Sequence, residues 1–252
     1  MMKTFSRRTV LASGASVAAA LAAVSTTAAA ADVLNPESKR KYKIVVTGGH
    51  PGDPEYGCGG TIARYTDLGH DVTLLYLNRG DPSELPADTR AFPRVAEATR
   101  ACEILKSRPV FAGQIDGHAV VDPAHYEAFR RLLAAEKPDA VFTHWPIDNH
   151  ADHRAMSLLT YDAWIHSKKS FALFYYEVST GEDTVQFSPN QYVDITKTEA
   201  RKRLACFAHA SQTPERYYKL QEMVAKFRGV ESGHAHAEAF LRHVQSPEFP
   251  LP

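Results

Sequence analysis

The feature of this sequence that most constrains its fold is the alternation of short apolar runs with longer amphipathic segments. The short runs are rich in β-branched residues and are typical of buried strands: residues 43–47, 72–77, 110–112 and 140–143. The longer segments repeat apolar residues at helical spacing: 61–68, 94–106, 126–135 and 151–166. Repeated strand–helix units predict a parallel sheet, because each helix returns the chain to start the next strand in the same direction.

The pattern after this core predicts a larger sheet and two more helices. Two further apolar stretches, 172–178 and 192–195, extend the sheet, and the polar-rich helices are expected around 197–208 and 214–228. The sequence shows neither an internal repeat nor a long linker after residue 31. We therefore expect residues 32–252 to form one α/β domain with three layers around a mostly parallel sheet.

The composition is that of a single enzyme-sized domain. The 252 residues are 44% hydrophobic and 23% charged, with 29 basic residues against 29 acidic ones. These values exclude a disordered or collagen-like chain, and the balanced charge gives no reason to expect a nucleic acid as partner. The three cysteines, Cys58, Cys102 and Cys206, are far apart and odd in number, which predicts buried free thiols.

The first 31 residues have the composition of a targeting segment. They contain three basic residues and no acidic one, followed by an apolar run of small residues. Residues 6–11, which include Arg7 and Arg8, resemble a twin-arginine export signal, and the alanines at 29–31 offer a cleavage site. We expect a cleaved signal peptide and a periplasmic or extracellular protein, since the run is too weakly apolar for a stable membrane span.

Two predicted strand ends are crowded with histidine and carboxylate side chains. His50 and Asp53 follow the first strand, and His150 and His153 follow the strand that ends at residue 143. Ligands bind parallel sheets at the carboxyl ends of the strands, and a catalytic zinc ion commonly takes three ligands from His and carboxylate. A lone histidine here would more simply cap a helix or fill the core, but two such clusters favour a metal site. His153 lies in the first turn of a predicted helix, which leaves His150 free for proton transfer.

The glycines that follow Asp53 admit a second interpretation, a phosphate-binding loop of the dinucleotide type. A G-x-G-x-x-G motif that starts at Gly57 requires glycine at position 62, which is Ile62. The spacing therefore argues against a dinucleotide. The glycines more plainly allow backbone N–H groups to approach a ligand at a helix start, where they favour an anionic transition state.

These residues resemble the PIG-L/LmbE-like family of zinc-dependent N-acetylglucosaminyl deacetylases. The family's first motif, His-Pro-Asp-Asp-Glu, is matched by residues 50–53, and its second, His-x-Asp-His, by residues 150–153. Weaker similarities occur at three further places: 94–97, 209–212, and 228–229 with 237–240. The resemblance implies a Rossmann-like fold and a hydrolase that removes an N-acyl group from a small N-acylated amino sugar or glycoconjugate.

The resemblance also implies roles for single residues. His50, Asp53 and His153 are the expected ligands of one zinc ion per chain, and Arg94 is a candidate substrate contact. His150 is expected to assist the transition state. We expect Asp152 to orient the imidazole of His150 and to raise its pKa.

Two other residues of the second loop are candidates for substrate binding. Asp148 stands two residues before His150, and Trp145 follows His144 at the predicted end of the strand. Aromatic faces commonly pack against sugar rings, which would place Trp145 at the wall of a pocket. The alternative for Trp145 is closure of the hydrophobic core.

One residue departs from the family pattern. The first aspartate of the first motif, the family's general base, is Gly52 in this chain. Three explanations follow: Glu55, Asp148 or Asp152 acts as the base, the metal alone activates water, or the protein binds its ligand without turnover. Among the carboxylates we favour Glu55, which follows Asp53 by two residues.

The departure at position 52 keeps two rival functions under consideration. One is a metal-binding, carbohydrate-binding protein with weak or no catalysis, and the other is a metal hydrolase that acts on a different bond. The sequence does not fix the sugar, the acyl group or the oligomeric state, and a homo-oligomer is compatible with it.

Overall fold

The computed structural model describes residues 40–80 and 93–252, so the predicted signal peptide at 1–31 lies outside the described residues. The strands are β1 (Lys43–Gly48), β2 (Asp71–Asn78), β3 (Arg108–Gln114), β4 (Ala140–His144), β5 (Ala172–Tyr176), β6 (Gln191–Asp194) and β7 (Ala237–Arg242). The helices are α1 (Asp53–Asp67), α2 (Arg94–Leu105), α3 (Pro123–Glu136), α4 (Ala151–His166), α5 (Glu199–Phe207) and α6 (Pro214–Ser232). A 3₁₀ turn, Ala210–Gln212, precedes α6.

The seven strands form one sheet in the order β3-β2-β1-β4-β5-β7-β6. The pairs from β3 to β5 are parallel, and β7 pairs antiparallel with both β5 and β6. The mostly parallel α/β fold predicted from the sequence is therefore confirmed. β1 lies between β2 and β4, so the strand order reverses there and the loops after β1 and β4 leave the same edge of the sheet side by side.

The sheet separates two hydrophobic cores, which gives the three layers. Alternate residues of β1 point to opposite faces: Ile44 and Val46 pack with α1, α2 and α5, whereas Val45 packs with α3 and α4. The three cysteines are buried free thiols, as predicted. Among the described helices, none combines the length and the apolar character that a membrane crossing requires.

Helix α1 begins at Asp53, eight residues before the predicted start at 61. Its glycines lower intrinsic helix propensity, and this made the segment look like a loop. Packing explains one of them: a Cβ at Gly57 would lie 2.3 Å from a ring carbon of Tyr176 on β5. Close contact between helix and sheet therefore outweighs local propensity, and it brings the helix N-terminus to the carboxyl end of β1.

Strand β7 was absent from the sequence prediction because an acidic residue stands at its second position. The carboxylate of Glu238 is buried, and it accepts hydrogen bonds from the backbone N–H groups of Gly60 (2.9 Å) and Thr61 (2.7 Å) in α1. Lys202 of α5 donates to it at 2.6 Å. This buried ion pair ties α1, α5 and β7 together, a contact that periodicity within one segment does not reveal.

Candidate metal centre and catalytic cleft

A cleft of about 560 Å³ lies at the carboxyl edge of the sheet, where the loops after β1 and β4 meet. Both motifs line it, through His50 and Asp53 on one side and His150 and His153 on the other. Asp53 begins α1, His150 caps α4 and His153 lies in the first turn of α4. The topology thus brings together residues that lie about a hundred positions apart in the sequence.

The three predicted metal ligands converge on one carboxylate oxygen. Oδ2 of Asp53 lies 3.3 Å from Nδ1 of His50 and 3.3 Å from Nε2 of His153. Ligands held at about 2.1 Å around a tetrahedral zinc ion are separated by roughly 3.4 Å, so both separations fit that geometry. His150 lies beside this set, since His50, His150 and His153 each have one ring nitrogen within 4.8 Å of the others. The donor set of imidazole and carboxylate fits zinc.

Each histidine of the predicted ligand set has a carboxylate behind it. Nε2 of His50 lies 3.1 Å from Oδ2 of Asp152, and Nδ1 of His153 lies 3.1 Å from Oδ1 of Asp148. Buried carboxylates in this position fix the tautomer and the ring orientation of histidines that bind metals. Since the supporting shell is already in place, it is a second, independent indication of a metal centre.

These contacts correct the roles expected for Asp152 and Asp148. Asp152 is fully buried and accepts from the Asn78 amide at 3.0 Å and the Gly117 N–H at 2.9 Å, besides facing His50. The carboxylate therefore does not face the ring of His150 as predicted, and Asp152 contacts that ring only through its backbone N–H. Asp148 is 5% exposed, and its second oxygen accepts from the hydroxyl of Thr184 at 3.0 Å. Asp148 supports His153 from behind and is not placed to meet substrate.

The electrostatics of the cluster favour a cation. Burial lowers the pKa of His153, but the carboxylates of Asp53 and Asp148 outweigh burial and raise this pKa to about 9. The same negative charges attract a divalent ion. His144, stacked on His153 with ring centroids 4.0 Å apart, has its pKa lowered to about 4 by burial and by His153. Its Nε2 accepts the backbone N–H of Gly49 at 3.1 Å and also lies 3.1 Å from Oδ2 of Asp53, so this ring is a further member of the cluster.

The position of His150 defines which of its nitrogens can act in the cleft. Its Nδ1 accepts the backbone N–H of Asp152 at 3.3 Å and thereby caps α4. Since Nδ1 is an acceptor, the neutral ring carries its proton on Nε2. Burial and the neighbouring ring of His50 lower the pKa of His150, whereas the sequence analysis expected this pKa to be raised. His150 is thus a neutral N–H donor beside the expected ligands.

Glu55, the base favoured from the sequence, is fully buried in the structure. One oxygen accepts from the hydroxyl of Tyr76 at 2.7 Å and lies 3.0 Å from Nε2 of His209. The other accepts the backbone N–H of Gly52 at 3.2 Å, the bond by which a glutamate at the third helical position caps its own helix. Glu55 therefore holds the start of α1 and faces away from the cleft.

Trp145 takes the core position that was the alternative for it. Its ring packs edge to face against Tyr175 (5.7 Å between centroids) and Phe187 (5.8 Å). It belongs to the hydrophobic cluster beneath α3 and α4. The wall of the cleft is formed by other aromatic residues, Tyr56 and Tyr217.

Arg94 and Asp116 also line the cleft. The guanidinium of Arg94 donates to the carbonyl of Pro51 at 3.0 Å and lies 3.5 Å from Asp116. Asp116, which the sequence analysis did not single out, also lies 3.0 Å from Nε2 of His50. Both side chains are near the cluster, and the substrate contact expected of Arg94 stays a prediction.

Two motif segments that looked minor in the sequence meet at the cleft. Glu97 of α2 accepts from both the backbone N–H and the hydroxyl of Ser211, each at 2.8 Å. This contact places His209 at the cleft wall, where its buried Nδ1 has no hydrogen-bond partner among the described residues. The buried hydroxyl of Tyr56 likewise lacks one.

Comparison with known proteins finds a family that is similar to the segment carrying this site. Residues 45–164 match the family model described as PIG-L, GlcNAc-PI de-N-acetylase. The diacetylchitobiose deacetylase of Thermococcus kodakarensis is 29% identical over 218 residues, which cover 78% of this chain and 81% of that protein.

Two solved structures show the same architecture. The conserved protein TT1542 from Thermus thermophilus superposes with a TM-score of 0.70 at 26% identity, covering 84% of this chain and 99% of its own. The N,N′-diacetylchitobiose deacetylase from Pyrococcus horikoshii also gives a TM-score of 0.70, at 21% identity, covering 92% of this chain and 95% of its own. The latter similarity is one of fold.

The fold, the histidine–carboxylate cluster and its supporting carboxylates define a metal-dependent amidohydrolase. The two motifs lie in the segment that the family model matches. In this segment the chain is similar to the PIG-L family of de-N-acetylases, and the similarity to a diacetylchitobiose deacetylase agrees with that match.

Proposed function

We propose that this protein is an exported, zinc-dependent hydrolase that removes an N-acyl group, in the simplest case N-acetyl, from an amino sugar or glycoconjugate. The observation that carries the proposal is the convergence of His50 Nδ1 and His153 Nε2 on Oδ2 of Asp53, each at 3.3 Å. The similarity to a diacetylchitobiose deacetylase supports the choice of an N-acetylated sugar.

The residues of the cleft have distinct tasks in such a reaction. A zinc ion held by His50, Asp53 and His153 would polarise the acyl carbonyl and lower the pKa of a water molecule. His150 would donate its Nε2–H to the oxygen on which negative charge develops. Arg94 and Asp116 also line the cleft, where they would bind sugar hydroxyl groups.

The test measures zinc content and product formation in the protein that starts at residue 32. We expect about one zinc per chain, and equal amounts of acetate and free amine from N,N′-diacetylchitobiose or N-acetylglucosamine. The matched control is His153→Ala, which should lose both metal and turnover. A zinc-loaded protein that releases no amine from any N-acylated amino sugar would contradict the proposal.

Gly52 favours one second candidate, a metal-binding protein that binds carbohydrate without turnover. The same preparation distinguishes the two functions by titration calorimetry with the sugars used as substrates. Saturable binding of a sugar without acetate release would support the binding protein.

The export part of the proposal rests on residues 6–11 and on the alanines at 29–31. Replacement of Arg7 and Arg8 together by lysine should block a twin-arginine signal while keeping its charge. We expect the variant to accumulate inside the cell, measured by immunoblotting of cell fractions. Unchanged export would contradict the twin-arginine route.

A further inference from the structure

None of the positions predicted to supply the general base has a carboxylate that faces the cleft. Gly52 has no side chain to accept a proton. The carboxylates of Glu55, Asp148 and Asp152 are all buried and engaged in hydrogen bonds that support the site from behind. If a carboxylate accepts the proton from the attacking water, it is therefore a different one, and it must line the cleft.

Four carboxylates line the cleft: Asp53, Asp116, Glu182 and Asp183. Asp53 belongs to the expected ligand set, and Asp116 is already paired with His50 and Arg94. Glu182 is exposed to solvent at the mouth of the cleft. Asp183 differs from all three, because it is half-buried and its carboxylate has no hydrogen bond or ion pair with any described residue.

The loop that carries Asp183 is fixed to the loop that precedes His153. The backbone carbonyl of Asp183 accepts the N–H of Asn149 at 2.8 Å, next to His150. The following residue, Thr184, donates its hydroxyl to Asp148, the carboxylate behind His153. Because neighbours on both sides are held, the free carboxylate of Asp183 is positioned by the metal-site loop itself.

We propose that Asp183 is the proton acceptor of this enzyme and takes the place of the family's aspartate at position 52. The inference rests on the proposed hydrolase function. Asp183 removes one proton from the attacking water as the C–O bond to the acyl carbon forms. It returns this proton to the amine nitrogen as the C–N bond breaks, so that the products are a carboxylic acid and an amine.

The surroundings of Asp183 suit this task. Burial raises its pKa, and the carboxylates of Asp148 and Asp53 act in the same direction, while His153 and His150 oppose them. A carboxylate with a raised pKa is a stronger base at neutral pH than an exposed one. The lack of a competing donor leaves both oxygens available.

The first experiment compares Asp183→Asn with the matched control Glu182→Gln, the adjacent carboxylate at the mouth. We expect Asp183→Asn to keep zinc and the fold and to lower kcat by about 10²–10⁴-fold, the range typical of a removed base. The fall in kcat/KM at acidic pH that we expect of the wild type should disappear in this variant. Glu182→Gln should retain wild-type turnover and profile. Formate added to Asp183→Ala should restore part of the lost rate.

The second experiment counts protons and does not depend on turnover. Acetohydroxamic acid binds metals as its anion, so its proton must go to the protein or to the buffer. Calorimetry in buffers of different ionisation enthalpy measures this number. We expect the zinc-loaded wild type to keep the proton on Asp183, and Asp183→Asn to release about one more proton per site into the buffer.

The outcomes separate this inference from the proposed function. Wild-type turnover that persists in Asp183→Asn with the same pH profile overturns the role of Asp183 alone. An identical proton count in the two proteins overturns it as well. If the wild type hydrolyses no N-acylated sugar but the proton counts differ, the proposed function fails while Asp183 stands as the proton acceptor of the site.

Discussion

Asp152 lies directly behind His50: its Oδ2 is 3.1 Å from the ring Nε2, which leaves Nδ1 facing Asp53. The carboxylate also accepts from the Asn78 amide and from the backbone of Gly117, so its position is fixed from three sides. Nδ1 of His50 is thereby turned toward the expected ion. The second motif of the family thus supports a ligand of the first motif, in addition to supplying one of its own.

This relationship predicts the effect of Asp152→Asn. The neutral amide no longer attracts the ring proton, so we expect zinc affinity to fall by about 10–100-fold while the fold is retained. Asp148→Asn should act similarly through His153. Affinity is measured by competition with a chelator, and the control is Asp162→Asn, a carboxylate paired with Arg130 on the far side of α4. Equal affinities in all three variants and the wild type would argue against the supporting role.

Removal of a predicted ligand should have a larger effect. We expect His50→Ala, Asp53→Ala and His153→Ala each to lose most bound zinc, because only two ligands of the expected set remain. Zinc per chain is measured by elemental analysis after dialysis. His166→Ala, at the exposed end of α4, serves as the control and should keep the wild-type content. Full zinc content in the three ligand variants would disprove the site.

The architecture could be predicted from the sequence because the hydrophobic pattern of each segment agrees with its place in the fold. Alternating strands and helices predicted the parallel strands β1 to β5, and helix α4 has the predicted bounds, 151–166. The start of α1 and strand β7 were missed for a common reason. Only glycine fits at position 57, because the ring of Tyr176 lies too close for a Cβ. Glu238 is stabilised by Lys202 and by the backbone of α1. Both are contacts between segments that are distant in the sequence.

The site could be predicted from the sequence only in part. Motif spacing singled out the histidines and Asp53, since the strand ends of a parallel sheet converge. It did not indicate which carboxylate faces which ring, because neighbours in sequence need not be neighbours in the cluster. Asp152 is two residues from His150 but contacts His50. Asp183 stands in a loop without any motif and lies at the cleft only because that loop pairs with the one before α4.

The position of Glu55 predicts a structural effect for Glu55→Gln. The amide cannot accept from Tyr76 and the Gly52 N–H as the carboxylate does, and one buried hydrogen bond is then left unsatisfied. We expect the free energy of unfolding to fall by about 1–3 kcal/mol, measured by urea denaturation, with zinc content unchanged. Tyr76→Phe removes the same contact from the other side and should give a similar loss. If Glu55→Gln keeps wild-type stability but loses turnover, Glu55 has a catalytic task.

The backbone at Gly52 gives the last prediction, which concerns the missing aspartate. Gly52 has φ +115°, a conformation that residues with a Cβ rarely adopt, although an added Cβ would lie 3.7 Å from the ring of Tyr56 and meet no clash. Gly52→Ala should therefore lower the free energy of unfolding by about 1–3 kcal/mol through backbone strain alone. Gly52→Asp should show a similar loss and no gain in kcat, because the strained backbone must shift before the carboxylate can reach the cleft.

The comparison variant for Gly52 is Gly113→Ala on β3. Gly113 also has a positive φ, +83°, with nothing within 4 Å of an added Cβ, and it lies away from the cleft. It should lose comparable stability and keep full zinc and turnover, which separates backbone strain from effects at the site. Urea denaturation, zinc content and amine release are measured on all three variants. A Gly52→Asp protein with much higher turnover than the wild type would instead show that position 52 is a lost base, and the role assigned to Asp183 would then fail with it.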